Sequence, residues 1–320
     1  MEKIEDYSDI FTAMSANDVL NEAKANTTPR ELWDGYWFEN EVCCLFADEN
    51  VGKSILATQI SEHIARDLHE KTLYYDFELS KKQFEMRYES NGSHYSFSDN
   101  LIRVELNSEV LQKITIPLEE AIIKGIEANI KKFGSKFIVI DNISWLMNYK
   151  SSQATAAKLM MKLIELKRVY GLSILVLAHT TKRNVGAPIV SNNLSGSKKF
   201  ANFFDSMFAI GKSLRDPSVR YLKQIKVRSG EFKYDANNVE LCNIIKDNAF
   251  LMFRRFGTSK ESTELNPTAK LENTTNNNNI GSKPKVVRKK KVRGRSELAQ
   301  QSISFIEALA SAAFESFSTH

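Results

Sequence analysis

The chain of 320 residues has few of the residues that mark secreted, membrane or metal-centred proteins. No apolar run approaches the ~20 residues that span a bilayer, so no membrane role is expected. The N-terminus, MEKIEDYSDI, is acidic and lacks an apolar signal-peptide core, which points to the cytoplasm. Only three cysteines occur, as suits a reducing compartment. Two of them, Cys43 and Cys44, are adjacent. Neighbours on a strand face opposite sides, so the pair reads as small buried hydrophobes and not as a disulfide or a metal pair. There is no C-x-x-C, and the five histidines are scattered, which argues against a His/Cys metal centre. The body also lacks net charge. Residues 281–295 carry eight Lys/Arg and no acid, residues 296–320 carry three Glu and no Lys/Arg, and residues 1–280 balance. The formal charge of +5 therefore belongs to a tail.

What remains is ordinary for a globular protein, 42% apolar and 26% charged, and it is organised. Val42–Phe46 is an apolar strand candidate, and Lys53–Leu68 carries Leu56, Ile60, Ile64 and Leu68 at helical spacing. Between them lies ADENVGKS, Ala47–Ser54. This is the strand–loop–helix context of a phosphate-binding P-loop, G-x-x-x-x-G-K-[ST]. The run Ala47, Asp48, Glu49, Asn50, Val51, Gly52, Lys53, Ser54 and Ile55 is thus the candidate ATP cradle. Lys53 would reach the β- and γ-phosphates, and the Ser54 hydroxyl would ligate Mg²⁺. One position departs from the pattern: Ala47 stands where the first glycine is expected.

Further strands are expected at Thr72–Phe77, Leu101–Leu106, Phe137–Ile140 and Ser173–Ala178, alternating with helices at Ser80–Tyr88, Pro117–Lys132 and Ala154–Tyr170. Continuous apolar strands alternating with helices predict an α/β fold, a mostly parallel sheet with helices on both faces. From about residue 205, strands at Ser206–Gly211, Tyr221–Arg228, Glu231–Tyr234, Val239–Lys246 and Ala249–Phe256 read as an antiparallel extension on the C-terminal side. The expected organisation is an arm over 1–30, a core over 31–256, a polar then basic linker over 257–295 and an amphipathic helix over 296–320. A short helix near Ala16–Ala25 is expected in the arm. The aromatic cluster Trp33, Tyr36, Trp37 and Phe38 reads either as packing on the domain edge or as an adenine-stacking or subunit-contact surface.

In open α/β sheets ligands sit beyond the carboxyl ends of the strands. There the sequence places the P-loop, Glu78, Asp141 and His179. Asp141 reads as a Walker B acid for Mg²⁺. Asn142, not a glutamate, follows it, so Glu78 is the candidate base for the attacking water. His179 is a candidate γ-phosphate sensor.

These segments carry a family resemblance. TLYYDFELSKKQFEMRY (Thr72–Tyr88) resembles the second-strand motif of DnaB-type replicative helicases, and FIVIDNISWLM (Phe137–Met147) their Walker B segment. LAHTTK (Leu177–Lys182) is similar to the third motif of RepA-type plasmid helicases, and LSGSKKFANFFDSMFAI (Leu194–Ile210) to the next motif of both groups. The resemblance is to the RecA-like ATPase superfamily over roughly 35–250. It implies a RecA-like core, ATP and Mg²⁺ as cofactors, action on DNA, most readily single-stranded, and a homo-oligomer such as a hexameric ring. An arginine finger at the position before Gly196 is missing, because that residue is Ser195. Lys226 and Arg228 in IKVRSG resemble the paired finger of the DnaB type. Lys182, Arg183, Lys198 and Lys199 lie in a long polar loop whose equivalent lines a DNA channel in the related helicases. Lys289, Lys290 and Lys291 belong to the basic tail, which has no aromatic residues and so offers salt-sensitive affinity without base readout. The combined expectation is an ATP-driven helicase or translocase of plasmid or mobile-element type. The alternatives are an accessory ATPase that does not unwind and a regulatory ATPase that does not touch DNA.

Overall fold

The computed structural model describes residues 11–24, 27–143, 153–195 and 200–267. The expected nucleic-acid contacts at Lys198, Lys199, Lys289, Lys290 and Lys291, and the expected helix over 296–320, lie outside those residues. In chain order the elements are α1 (Ala16–Lys24), β1 (Glu31–Trp33), β2 (Trp37–Phe38), β3 (Val42–Ala47), α2 (Lys53–Arg66), β4 (Thr72–Asp76), α3 (Lys81–Arg87), β5 (Glu89–Ser90), β6 (Ser93–His94), β7 (Leu101–Val104), α4 (Ser108–Leu111), α5 (Leu118–Phe133), β8 (Phe137–Asp141), α6 (Gln153–Tyr170), β9 (Ser173–His179), β10 (Ser206–Lys212), β11 (Val219–Lys226), β12 (Val239–Asp247), β13 (Phe250–Ser259) and α7 (Glu261–Glu264). The chain divides into two units, and the described part of the smaller is the segment 107–115, which holds α4; the Asn107 side chain caps that helix by accepting from Glu109 N and Val110 N.

The nine-stranded sheet has the order β13-β12-β11-β10-β3-β9-β8-β4-β7. From β10 to β7 every pairing is parallel, and β10 to β13 pair antiparallel. The expected α/β class and antiparallel extension are therefore the observed ones. The apolar strands divide their side chains by period two between two cores. Val42, Cys44 and Phe46 of β3 face one with α5 and α6, while Cys43, Leu45 and Ala47 face the other with α2. Cys43 and Cys44 are wholly buried free thiols. Leu56, Ile60 and Ile64 of α2 are fully buried. Each such side chain contributes roughly 1.5–3 kcal/mol, well above any helix propensity term.

Local signals set the helix ends. Ser80 and Gln83 form a reciprocal capping box at α3. Pro117 stands at the N-cap of α5 and Gly134 ends it at φ 65°. The aromatic cluster is packing: Tyr36 and Trp37 are buried, Trp33 sits edge-on to His63, and Tyr36 stacks on Tyr234. Those rings are not presented for adenine.

Two expectations on strands need correction. Glu231–Tyr234 is not a strand. The Gln224 side chain takes the place of a ladder there, its Oε1 accepting from Lys233 N (2.7 Å) and Tyr234 N (2.8 Å). β11 ends at Lys226, so Arg228 lies beyond the strand and the two cations do not share a strand face. The fold also continues past Phe256, through β13 and into α7, where Glu261 and Glu264 are buried.

Candidate nucleotide site

Strand register brings the candidate residues to one end of the sheet. β9 lies between β3 and β8. Ala47 pairs with His179, and Asp76 pairs with Asp141. The P-loop, the His179 strand end, Asp141 and the Glu78 turn thereby line a single rim.

The P-loop itself is built on backbone geometry. Positive φ occurs at Asn50 (58°) and at Gly52 (108°), but not at Ala47, which closes β3 as an ordinary strand residue. A glycine is therefore not required at the first position. It is required at Gly52, both for its φ and because a Cβ there would stand 2.9 Å from Ile244 Cδ1 and from the Phe253 ring. The antiparallel extension thus packs directly on the loop, and Gln59 of α2 is clamped to Phe253 by two backbone bonds, at 3.1 and 2.8 Å. Gly52 is also the N-cap of α2 and supplies no side-chain acceptor. The first amides of α2 are left for an anion, with the positive end of the helix behind them.

Lys53 is buried, and its Nζ donates to Ala47 O (3.1 Å) and Asp48 O (3.0 Å) and lies 3.2 Å from His179 Nδ1. Burial pulls its ammonium below the usual lysine value, against the neighbouring acids Glu78, Asp141, Glu49 and Asp48. Since an ammonium only donates, the Lys53 contact falls to His179 Nδ1 as the acceptor, and Nε2 is the ring nitrogen that faces the other side of the site. That atom lies 3.6 Å from Glu78 Oε1 and 3.0 Å from Asn142 Nδ2. Asn142 also donates to Glu78 Oε1. Burial would raise the Glu78 carboxyl, but the bond and charge from His179, with Lys53 and Asn142, hold it below its ordinary value. A carboxylate kept ionised and half-exposed beside the P-loop is suited to orient a water.

Asp141 is almost wholly buried. The Tyr74 hydroxyl donates to its Oδ2 at 2.6 Å, and its Oδ1 has no hydrogen-bond partner among the described residues. Burial pushes its carboxyl up to about 6, with Glu78 adding to the rise and the Tyr74 and Ser54 side chains opposing it. A buried carboxylate oxygen left without a donor, beside the Ser54 side chain, fits a hard divalent cation. Asp141 and Ser54 would hold Mg²⁺, which supplies charge neutralisation on the β- and γ-phosphate oxygens when bound. Tyr74 and Asn142 were not picked out as site residues by sequence. Tyr74 was legible only in hindsight of pairing, since it shares a strand face with Asp76 in TLYYD.

The raised Asp141 value has a measurable consequence for the nucleotide-free protein. A carboxyl whose folded pKa is above its unfolded one stabilises the fold fully below the unfolded value, near 4, and this contribution is lost as pH rises through about 6. Above pH 6 the buried charge is a net cost, on the order of 3 kcal/mol. Asp141→Asn is therefore expected to raise the apo Tm at pH 7.5 while abolishing Mg²⁺-dependent nucleotide affinity. The Tm gain should vanish near pH 4. A variant less stable than wild type at pH 7.5 would contradict the assignment.

The remaining candidates are placed as follows. Arg183 reaches back to the P-loop, donating to Asp48 Oδ2 from Nη2 (3.0 Å) and Nε (3.3 Å), while Nη1 bonds Ala187 O (2.6 Å). Thr180 also donates to Asp48. Burial would raise the Asp48 carboxyl, but Thr180, Arg183 and Lys53 bring it below its usual value. The segment after β9 is not slack: Thr181 N donates to Asn193 O (2.7 Å), Ser195 N to His179 O (2.8 Å), and Ile189 and Leu194 are buried. Lys182 stays exposed on it. Lys226 and Arg228 are not brought to this rim. Lys226 pairs in register with Met207, near the start of β3, and Arg228 bonds Asp205 (2.8 Å), whose amide donates to Val42 O.

With this geometry in place, the comparison with known families is direct. Residues 10–185 match the family model described as an AAA domain, more than half of the chain. The chain belongs to this family of P-loop ATPases. No curated protein matches it. ATP and Mg²⁺ are the cofactors that the family generally uses. The match spans the P-loop, Glu78, Asp141 and His179 of this AAA-domain protein and ends just beyond Arg183. No helix among its described residues is long and apolar enough to cross a membrane.

Proposed function

We propose that this AAA-domain ATPase is a motor on single-stranded DNA, a helicase or translocase of plasmid or mobile-element replication, working as a homo-oligomeric ring. The observation that carries the reading is the position of His179. One ring nitrogen meets Lys53 of the P-loop, the other faces Glu78 and Asn142, and the next residues run straight into the loop that bears Lys182. A change at the γ-phosphate position is thus one residue away from a candidate DNA-contact loop. The helicase-like motif series and the eight basic residues of 281–295 support the same reading.

A second reading, an accessory ATPase switched by nucleotide but without unwinding activity, is favoured by Arg183. That cation is spent on Asp48 and is not offered to a backbone phosphate. The test is ATP turnover by the full chain with and without single-stranded DNA, followed by strand displacement on a forked duplex. The motor reading expects DNA to stimulate turnover several-fold and strands to separate. Stimulation without displacement selects the accessory role, and no stimulation at low salt refutes both.

A further inference from the structure

We propose that Asp76 and Arg103 are positioning residues that fix where the Glu78 carboxylate stands. The inference rests on the reading of Glu78 as the residue that orients the attacking water. It comes from how the Glu78 turn is held. Asp76 ends β4, and its side chain is 0% exposed. Its Oδ1 accepts from Glu78 N (3.0 Å) and Leu79 N (2.9 Å). Its Oδ2 accepts from Arg103 Nη2 (2.8 Å) and Nε (3.0 Å), Arg103 belonging to the neighbouring strand β7. Arg103 Nη2 also donates to Leu79 O (2.5 Å). Both successive amides of the turn and the carbonyl that closes it are therefore tied to one buried ion pair. The guanidinium is itself fixed, lying 4.9 Å from the centroid of the Phe84 ring and pairing with Glu105 through Nη1.

Stability alone does not explain the pair. An ion pair taken out of water gains little over well-packed apolar side chains of similar size. β4 and β7 pair at the edge of the sheet, where apolar neighbours would serve. What a carboxylate and a guanidinium add is geometry, because one carboxylate can accept two amides and a fork at once. The backbone of Glu78 is set from below by Asp76, and its carboxylate is met from above by Asn142 and His179. A displacement of about 1 Å in such a group costs up to ~10²-fold in rate.

The test uses the full chain. Asp76→Asn keeps the acceptor for the two amides but presents an NH₂ to the guanidinium, and Arg103→Gln removes the fork while leaving Asp76 in place. Each variant is expected to bind the Mg²⁺ complex of a fluorescent ATP analogue within about twofold of wild type and to lose kcat by about 10- to 100-fold. Arg103→Lys, which restores charge without the fork, should recover only part of that loss. In a Glu78→Gln background, where turnover is already low, adding Asp76→Asn should change the residue of activity by less than about twofold, because the route through Glu78 is gone. Wild-type kcat in both single variants, losses that multiply in the double variant, or a binding loss equal to the kcat loss would overturn the positioning role and leave Glu78 as the base. Wild-type turnover by Glu78→Gln itself would overturn the base assignment, and the positioning role with it. If Asp76→Asn does not fold, Arg103→Gln alone and combined with Glu78→Gln decides the matter by the same criteria.

Discussion

Lys53→Ala is expected to lose ATP hydrolysis by at least about 10³-fold and to bind nucleotide weakly. The structure explains why both fail together. The ammonium is held over the P-loop by Ala47 O and Asp48 O and by His179 Nδ1. It is thus the loop's cation in the absence of nucleotide, and the group that would face the transferred phosphoryl in its presence. The apo fold should tolerate its removal. Burial already pulls Lys53 towards its neutral form, so deleting it removes a desolvation cost along with three polar contacts. The apo Tm should move by only a few degrees, whichever way those contributions balance. Phosphate release, equilibrium binding of a fluorescent ATP analogue and thermal melting, taken together, check this. Turnover within tenfold of wild type would mean that Lys53 is not the phosphate ligand.

Local signals in the sequence were sufficient to place at one rim the candidate residues that lie within single strand–loop–helix units. GKS after an apolar strand placed Lys53 and Ser54, and an aspartate ending FIVI placed Asp141, because each needs only a strand of a given length to bring it to the rim. Glu78 and His179 followed from the same strand-end rule, and register brings both beside Lys53. What could not be read is whatever depends on which strand lies next to which. In the sequence Arg183 reads as one of the cations of a polar loop like those that line a DNA channel, yet its partner, Asp48, is 135 positions away and becomes adjacent only because β9 pairs with β3. Asp76 and Arg103 meet for the same reason, through the pairing of β4 with β7. The false strand at Glu231–Tyr234 had suitable alternation, but one residue, Gln224, satisfied its C-terminal half first, the side chain accepting from the Lys233 and Tyr234 amides and the main-chain N–H donating to Tyr234 O. Propensity describes a segment, and a buried amide several residues away can outbid it.

Arg228→Ala is expected to bind ATP with near-normal affinity and to lose turnover by about 10³-fold or more, the size of effect that a phosphate-facing arginine supplied from a neighbouring subunit has. The geometry excludes a role at the chain's own site. Lys226 pairs with Met207, and Met207 with Cys44, so about 10 Å of strand separates that row from Ala47. Arg228 lies beyond Lys226 in the opposite direction, bonded to Asp205 at the start of β3. Any contribution to hydrolysis must therefore be made to another copy, as in the ring proposed above. The competing account is a surface ion pair worth under about 1 kcal/mol, and the surroundings of Asp205 separate the two. Its Oδ2 also accepts from Val42 N (2.9 Å) and Lys167 (2.7 Å). Asp205 stays well satisfied when Arg228 is removed, and the Arg228 side chain is 64% exposed, so truncating it should scarcely change Tm. A large loss of kcat at unchanged Tm then cannot come from damage to the fold. Mixing Arg228→Ala with Lys53→Ala protein should restore part of the activity, since an interface pairing an intact P-loop with an intact arginine can form only between the two kinds of subunit. Specific activity should also rise with protein concentration over the range where the oligomer assembles. Turnover by Arg228→Ala equal to wild type, or no recovery in the mixture, would leave Arg228 as a partner of Asp205 and nothing more.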